Sequence, residues 1–168
     1  MYLNHELNAD RFTEADQDEY AAQIFEDELG ATRNLMDELK AEHAKTDPLV
    51  SKIQMPRSGT YHGLSAEDDG GDQGVMTHLS FKEDGTIEGW GEDAEDGRYA
   101  IEDGVWSTPG GDGDAMPLQT GGRVAWVEKY DRGFQVALRG QVLADGTIRA
   151  MWASTFGVAG SVDLEMRR

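Results

Sequence analysis

Cysteine is absent from the 168 residues, which excludes disulfides and thiolate metal sites. That absence fits a reducing compartment, and the expected location is soluble and intracellular, in the cytoplasm or in an organelle lumen or stroma. Long apolar runs are missing too. None approaches the roughly 20 residues that a membrane span needs, so no membrane insertion is expected. The opening MYLNHELNAD lacks a basic segment followed by an apolar one, so no signal peptide is read there. A chain already cut from a precursor would read the same. Positive charge is scarce: 15 basic residues, 5 of them lysine, face 33 acids for a formal net charge of −18. The excess is no acidic tail, because residues 1–58 carry 13 acids and 6 bases (net −7) and residues 59–168 carry 20 and 9 (net −11). Such a field repels phosphate backbones and anionic membrane surfaces, so nucleic acid is not an expected partner. A solvated acidic surface is the plain explanation. An acidic mimic that occupies a basic cleft is a weaker alternative, and the low lysine share leans towards salt adaptation.

Recognisable catalytic motifs are lacking as well. The chain has no G-x-S-x-G, no phosphate loop and no dinucleotide fingerprint. The acid-rich stretches Glu67-Asp68-Asp69 with Asp72, and Asp112 with Asp114, do not follow the calcium-loop pattern and read as solvated turns. His5 and His43 fall in no metal-ligand spacing, while His62 and His78 sit out of phase with the apolar faces of their strands. No metal and no cofactor are expected, and the balance tilts away from catalysis.

What is present divides the chain in two, a helical arm and linker at 1–57 and a β-domain at 58–168. Residues 12–45 have helical periodicity, with Thr13 as a cap and acids in the first turns, where the helix dipole favours them. Tyr20, Ile24 and Phe25 form one apolar patch, and Leu35, Met36 and Leu39 a second. Gly30 between them is a point where the helix could divide, Asp47-Pro48 ends it, and 48–58 reads as linker. From Ser58 the period drops to two. Strands are predicted at 59–64, 74–83, 86–92, 98–102, 104–107, 122–131, 134–143, 147–155 and 161–167. Asp84-Gly85, Asp96-Gly97, Asp103-Gly104 and Asp145-Gly146 between them are strong hairpin signals, because both turn positions favour positive φ. Residues 108–121 form the longest loop, followed by 65–73. Leu79, Phe81, Ile87, Tyr99, Ile101, Val136, Leu138, Val142, Ile148, Ala150, Trp152, Val162, Leu164 and Met166 mark the inner faces, and Gly89, Gly91 and Gly140 fall on them, where a close-packed interior wants glycine. Hairpin after hairpin without a long crossover predicts a mainly β protein: an antiparallel up-and-down barrel of about eight strands with an N-terminal helical extension.

The rhythm of FKEDGTIEGWGEDAEDGRYAIEDG and RVAWVEKYDRGFQVALRGQVLADGTIRAMW, with the opening Gly59-Thr60-Tyr61-His62-Gly63, resembles the calycin-type small barrels, avidin-like and lipocalin-like. The likeness spans about residues 58–168. Tyr61 stands where lipocalins carry tryptophan, and the polar biotin-binding set of avidins finds no counterpart. The resemblance therefore implies a fold and a central cavity, not a particular ligand.

Glu128 is the residue of greatest interest. Val124, Trp126, Glu128 and Tyr130 share one face of their strand. With Trp126 inward, Glu128 is inward too, a costly place for a carboxylate unless it is paired or wet, and so a ligand-orienting group or a perturbed acid. In the opposite phase Ala125 and Val127 fill the interior and Glu128 points out. The sequence leaves both phases open. Three functions follow as expectations. The first is a non-catalytic interaction protein or accessory subunit of a larger assembly, the barrel a rigid body and the arm a tether that captures a protein partner or a second copy through Tyr20, Ile24, Phe25, Leu35, Met36 and Leu39. The second is a barrel that binds a small apolar or aromatic ligand near Tyr61, Trp126, Glu128 and Trp152. The weakest is an isomerase or lyase with Glu128 as acid or base.

Overall fold

In the computed structural model, residues 14–108 and 120–166 are described. The Thr13 cap, His5, Asp112, Asp114 and nearly all of the 108–121 loop lie outside the described residues. Eight strands, β1 (Gly59–Glu67), β2 (Asp72–Phe81), β3 (Thr86–Asp93), β4 (Gly97–Ser107), β5 (Thr120–Tyr130), β6 (Gln135–Leu143), β7 (Ile148–Ser154) and β8 (Ala159–Met166), follow two helices, α1 (Glu14–Lys45) and α2 (Pro48–Gln54). Each strand pairs antiparallel with the next, and β8 returns to β1, so the sheet closes as an up-and-down barrel. Among the described residues, no helix is long and apolar enough to cross a membrane.

Three of the four Asp-Gly pairs end hairpins, but by a different device from the one expected. Only the glycines take positive φ, 90° at Gly85, 86° at Gly97 and 90° at Gly146. Asp84 and Asp145 keep negative φ and instead accept the backbone N–H two residues on, from Thr86 and Thr147. The fourth pair is a correction. Asp103-Gly104 does not separate two strands; it is a bulge inside β4, with Asp103 at φ 56° and the pairing to β5 shifted between Glu102 and Val105. The extra residue reverses the inside–outside phase, so Ile101 and Trp106 both reach the interior and β4 runs unbroken.

Two further expectations are corrected in the arm. α1 passes through Gly30 without dividing, because its buried side is continuous there: Phe25, Thr32, Met36 and Leu39 are buried in line, with Leu29 partly buried between. Phe25 of the first sequence patch and Met36 and Leu39 of the second are thus parts of one stripe. Residues Pro48–Gln54 are helix rather than linker, capped by Asp47, whose carboxylate accepts from Leu49 N at 2.8 Å.

α1 lies along the outer wall, against β4, β5 and β6. Its Met36 and Leu39 cover Val105, Ala125 and Val127, and its acids meet the wall's arginines, Glu28 to Arg139 at 2.9 Å and Glu38 to Arg123 at 3.3 Å. The barrel interior holds the main core. Tyr61, Phe81, Trp106, Val142 and Ile148 fill one end, and Met55 packs on them from the end of α2. The Tyr61 hydroxyl donates to Arg57 O, which fixes the chain where it passes from α2 into β1. That end is plugged. The opposite end, where the β1–β2, β3–β4, β5–β6 and β7–β8 turns gather, opens into a cavity.

Candidate functional site

Glu128 faces the lumen. The two phases of β5 looked alike in sequence because both faces of the strand are buried. Val124 and Trp126 point into the barrel, while Ala125 and Val127 point out beneath α1. Once α1 accounts for Ala125 and Val127, the inward phase follows for Glu128.

The cavity measures about 210 Å³ and is lined by residues from both halves of the sheet. Its layers follow from register. Glu128 pairs with Val136, which pairs on its other side with Ser154, so the carboxylate and the hydroxyl stand in one cross-strand row, two strands apart. One step nearer the mouth, Tyr130 pairs with Tyr99, Tyr99 with Gly91, and Gly91 with Thr77. The hydroxyls of Tyr99 and Thr77 are hydrogen-bonded across Gly91. A Cβ on Gly91 would meet the Tyr99 ring and the Met76 carbonyl, so glycine makes room for the tyrosine. Gly91→Ala is expected to cost about 1–3 kcal/mol and to displace Tyr99, read as a lower urea midpoint with a changed tyrosine near-ultraviolet signal. An unchanged midpoint would mean that Tyr99 moves without penalty.

Hydrogen bonding in the lumen is specific. Trp126 Nε1–H donates to Glu128 Oε2 at 3.0 Å. Tyr130 O–H donates to Asp93 Oδ2 at 2.7 Å, and Asp93 Oδ1 accepts from the backbone of Glu95 and Asp96 in the β3–β4 turn. Ser154 Oγ is buried, 5% exposed as a residue, and has no hydrogen-bond partner. Burial drives the Glu128 carboxyl up from its ordinary 4.5 to about 7; the Trp126 hydrogen bond resists this, and the neighbouring Asp93 adds to it. Burial and the charge of Glu128 push Tyr99 and Tyr130 well above the usual phenol value, so both stay protonated donors. Asp96 at the rim is also raised, by burial and by Asp93 and Glu95.

An aromatic path leads from this row to the outside. Tyr99 and Tyr130 lie 4.9 Å apart, Phe134 stacks on Tyr130 at 4.2 Å and 13°, and Phe156 follows Phe134 at 5.0 Å. Phe156 is 65% exposed at the mouth. Its turn is braced by α1, since a Cβ on Gly157 would collide with Ala21.

The four lumen residues singled out from sequence divide. Glu128 and Trp152 line the cavity. Trp126 is fully buried in the core beside it and reaches it through its bond to Glu128. Tyr61 is placed at the plugged end instead, because its hydroxyl is held by Arg57 O. Asp93, Ser154 and the aromatic rim were not picked out. Asp93 continues the inner phase Ile87, Gly89, Gly91, and Ser154 continues Ile148, Ala150, Trp152, so that phase extended by one residue was the available signal. Of the arm residues, Phe25, Met36 and Leu39 are buried on the chain's own barrel, Ile24 and Leu35 are half-buried, and Tyr20 is exposed. His62 and His78 lie half-buried on the outer surface, with His78 against Trp90 at 4.2 Å. Among the described residues, no group of three or more histidine or acid side chains is arranged to hold a metal.

No family model matches the chain, and no curated protein matches it. Among solved structures, one described as a redesigned β-barrel superimposes with a TM-score of 0.50 at 11% identity, covering 70% of this chain and 96% of that one. At that identity the likeness concerns the barrel fold alone.

Proposed function

We propose that this protein binds a small molecule in the barrel lumen, admitted through the open end, with a flat apolar body along the aromatic wall and a polar head on Glu128 and Ser154. The observation that carries this is an open cavity lined by a buried hydroxyl with no hydrogen bond, on Ser154, and by a buried carboxylate with no cation beside it, on Glu128. Native interiors rarely leave such groups unmatched, and a cavity with few, convergent polar groups is what a ligand site needs. The calycin-like rhythm of the sequence supports the same reading. The cavity, about 210 Å³, is below the roughly 300–1,000 Å³ of sites for drug-sized ligands, so the guest is small. Ligand-observed NMR with a fragment set of up to about twelve non-hydrogen atoms is expected to find binders to the native chain that are lost in Ser154→Phe, which fills the lumen. Equal binding to both chains would place the fragments elsewhere and contradict the proposal.

A second reading, a non-catalytic accessory subunit, keeps one observation in its favour. Leu49, Val50 and Ile53 form an exposed apolar row on α2. On that reading the chain, gently purified from its source, travels in a particle well above its own 18.5 kDa, and Ile53→Asp releases it. A bare monomer counts against it.

A further inference from the structure

We infer that the lumen selects an organic cation, a primary or secondary ammonium on a flat apolar body of on the order of ten non-hydrogen atoms, its nitrogen seated between Glu128 and Ser154. This rests on the proposal that the lumen binds a small molecule and names the class.

Trp126 Nε1–H donates to Glu128, Tyr130 O–H donates to Asp93, and Tyr99 and Thr77 share one hydrogen bond that leaves one of their two hydroxyl protons over, with the Tyr99 and Tyr130 hydroxyls also facing the Glu128 carboxyl. Acceptor capacity remains on Glu128, which has a second carboxylate oxygen, and on Ser154 Oγ. A guest that donates to the Glu128 carboxylate and to Ser154 Oγ completes this row. An acceptor-only head, a carboxylate or a ketone, meets only neutral hydroxyl donors there, on Ser154 and the Tyr99–Thr77 pair.

Charge points the same way. Glu128 and Asp93 lie inside, Glu67, Glu95 and Asp96 stand around the mouth, and none of the described residues that line the cavity is basic. Arg132 approaches Asp96 to 4.0 Å, but at the rim and 67% exposed. An ionised Glu128 in this setting lacks a counter-charge, which an ammonium supplies. Acids at the mouth raise the local concentration of cations and lower that of anions. The ring faces of Tyr130, Phe134 and Phe156 give an ammonium further attraction on its way in.

Three probes of nearly one shape separate the possibilities: 2-phenylethylamine, 2-phenylethanol and phenylacetate, titrated calorimetrically into the full chain at about pH 8 and low salt. The amine is expected to bind at least about tenfold more tightly than the alcohol, with phenylacetate weakest. Glu128→Gln should remove the amine's advantage over the alcohol. Lowering the pH to about 5.5 should weaken the amine in the native chain only. The titratable groups facing Glu128 are Asp93 on β3, Tyr99 on β4 and Tyr130 on β5, and both tyrosines stay protonated throughout. A pH effect that survived in Glu128→Gln would belong to another acid of the lumen or its mouth and would overturn the seat assigned to the nitrogen. An alcohol that binds as well as the amine, with binding lost in Ser154→Phe, would overturn the cation and leave lumen binding standing. Failure of all three probes would overturn both.

Discussion

Glu128→Gln is expected to make the protein more stable at about pH 8, by roughly 2–3 kcal/mol, and no more stable near pH 4. Burial holds the folded-state carboxyl at about 7 against 4.5 for the ordinary group. Below the lower value the carboxyl is protonated whether the chain is folded or not, and its contribution to stability is full. Between the two values the folded state binds the extra proton, so stability falls as pH rises. Above about 7 the folded chain carries an ionised carboxylate in the lumen, and the contribution is gone. Glutamine keeps an acceptor for Trp126 Nε1–H and carries no charge, so its stability should not fall across that window. Urea unfolding of both chains at several pH values reads the difference. Asp84 and Asp145 titrate in the opposite sense: the hydrogen bonds they accept in their turns hold them below the ordinary carboxylate value. Their contribution is lost only as the pH falls below about 4, and it cancels between the two chains. A glutamine chain less stable than the native one at pH 8 would show that the ionised carboxylate is compensated inside the folded protein.

The second large effect is expected at Leu39→Ala, a loss of about 2–5 kcal/mol. Leu39 is fully buried between α1 and the barrel wall, among Met36, Val105, Ala125 and Val127. Truncation leaves a cavity in a contact that joins the two parts of the chain. With α1 and the barrel as one cooperative unit, the single urea transition moves to lower denaturant, with helix and tryptophan signals moving together. An arm that is a detachable tether gives the opposite result: helical signal lost early, with the barrel's tryptophan transition unmoved. The two outcomes also bear on partner capture. Phe25, Met36 and Leu39 become available to another protein only once α1 has left its own barrel.

The parts of this architecture that could be read in the sequence are those where one face meets the lumen and the other meets water. In β8, Val162 and Leu164 are buried while Asp163 and Glu165 are exposed, and the period-two pattern gave the barrel. Legibility failed where a second layer covers the sheet. Ala125 and Val127 are as buried as Val124 and Trp126, so β5 showed no alternation that could orient Glu128. It failed again at Asp103-Gly104, because a bulge and a hairpin turn ask the same residues for the same backbone freedom. Gly30 could not reveal that α1 is unbroken, since what carries the helix past it is packing on the wall rather than local propensity. Asp93 was one acid among 33. Its distinction comes from ending β3 at the mouth, where Tyr130 reaches it from β5, a meeting fixed only when the barrel closes. Ser154 has no local signal beyond its phase, because an unmatched hydroxyl is a property of surroundings.

The most direct test is the titration of the Glu128 side chain itself, followed by carbon-detected NMR of its carboxyl and assigned by its loss in Glu128→Gln. A buried carboxyl without a cation beside it requires a midpoint near 7, as burial dictates, and a lower one once 2-phenylethylamine is bound. A midpoint near the ordinary 4.5, unmoved by the amine, would show a solvated carboxylate and contradict a lumen built around it.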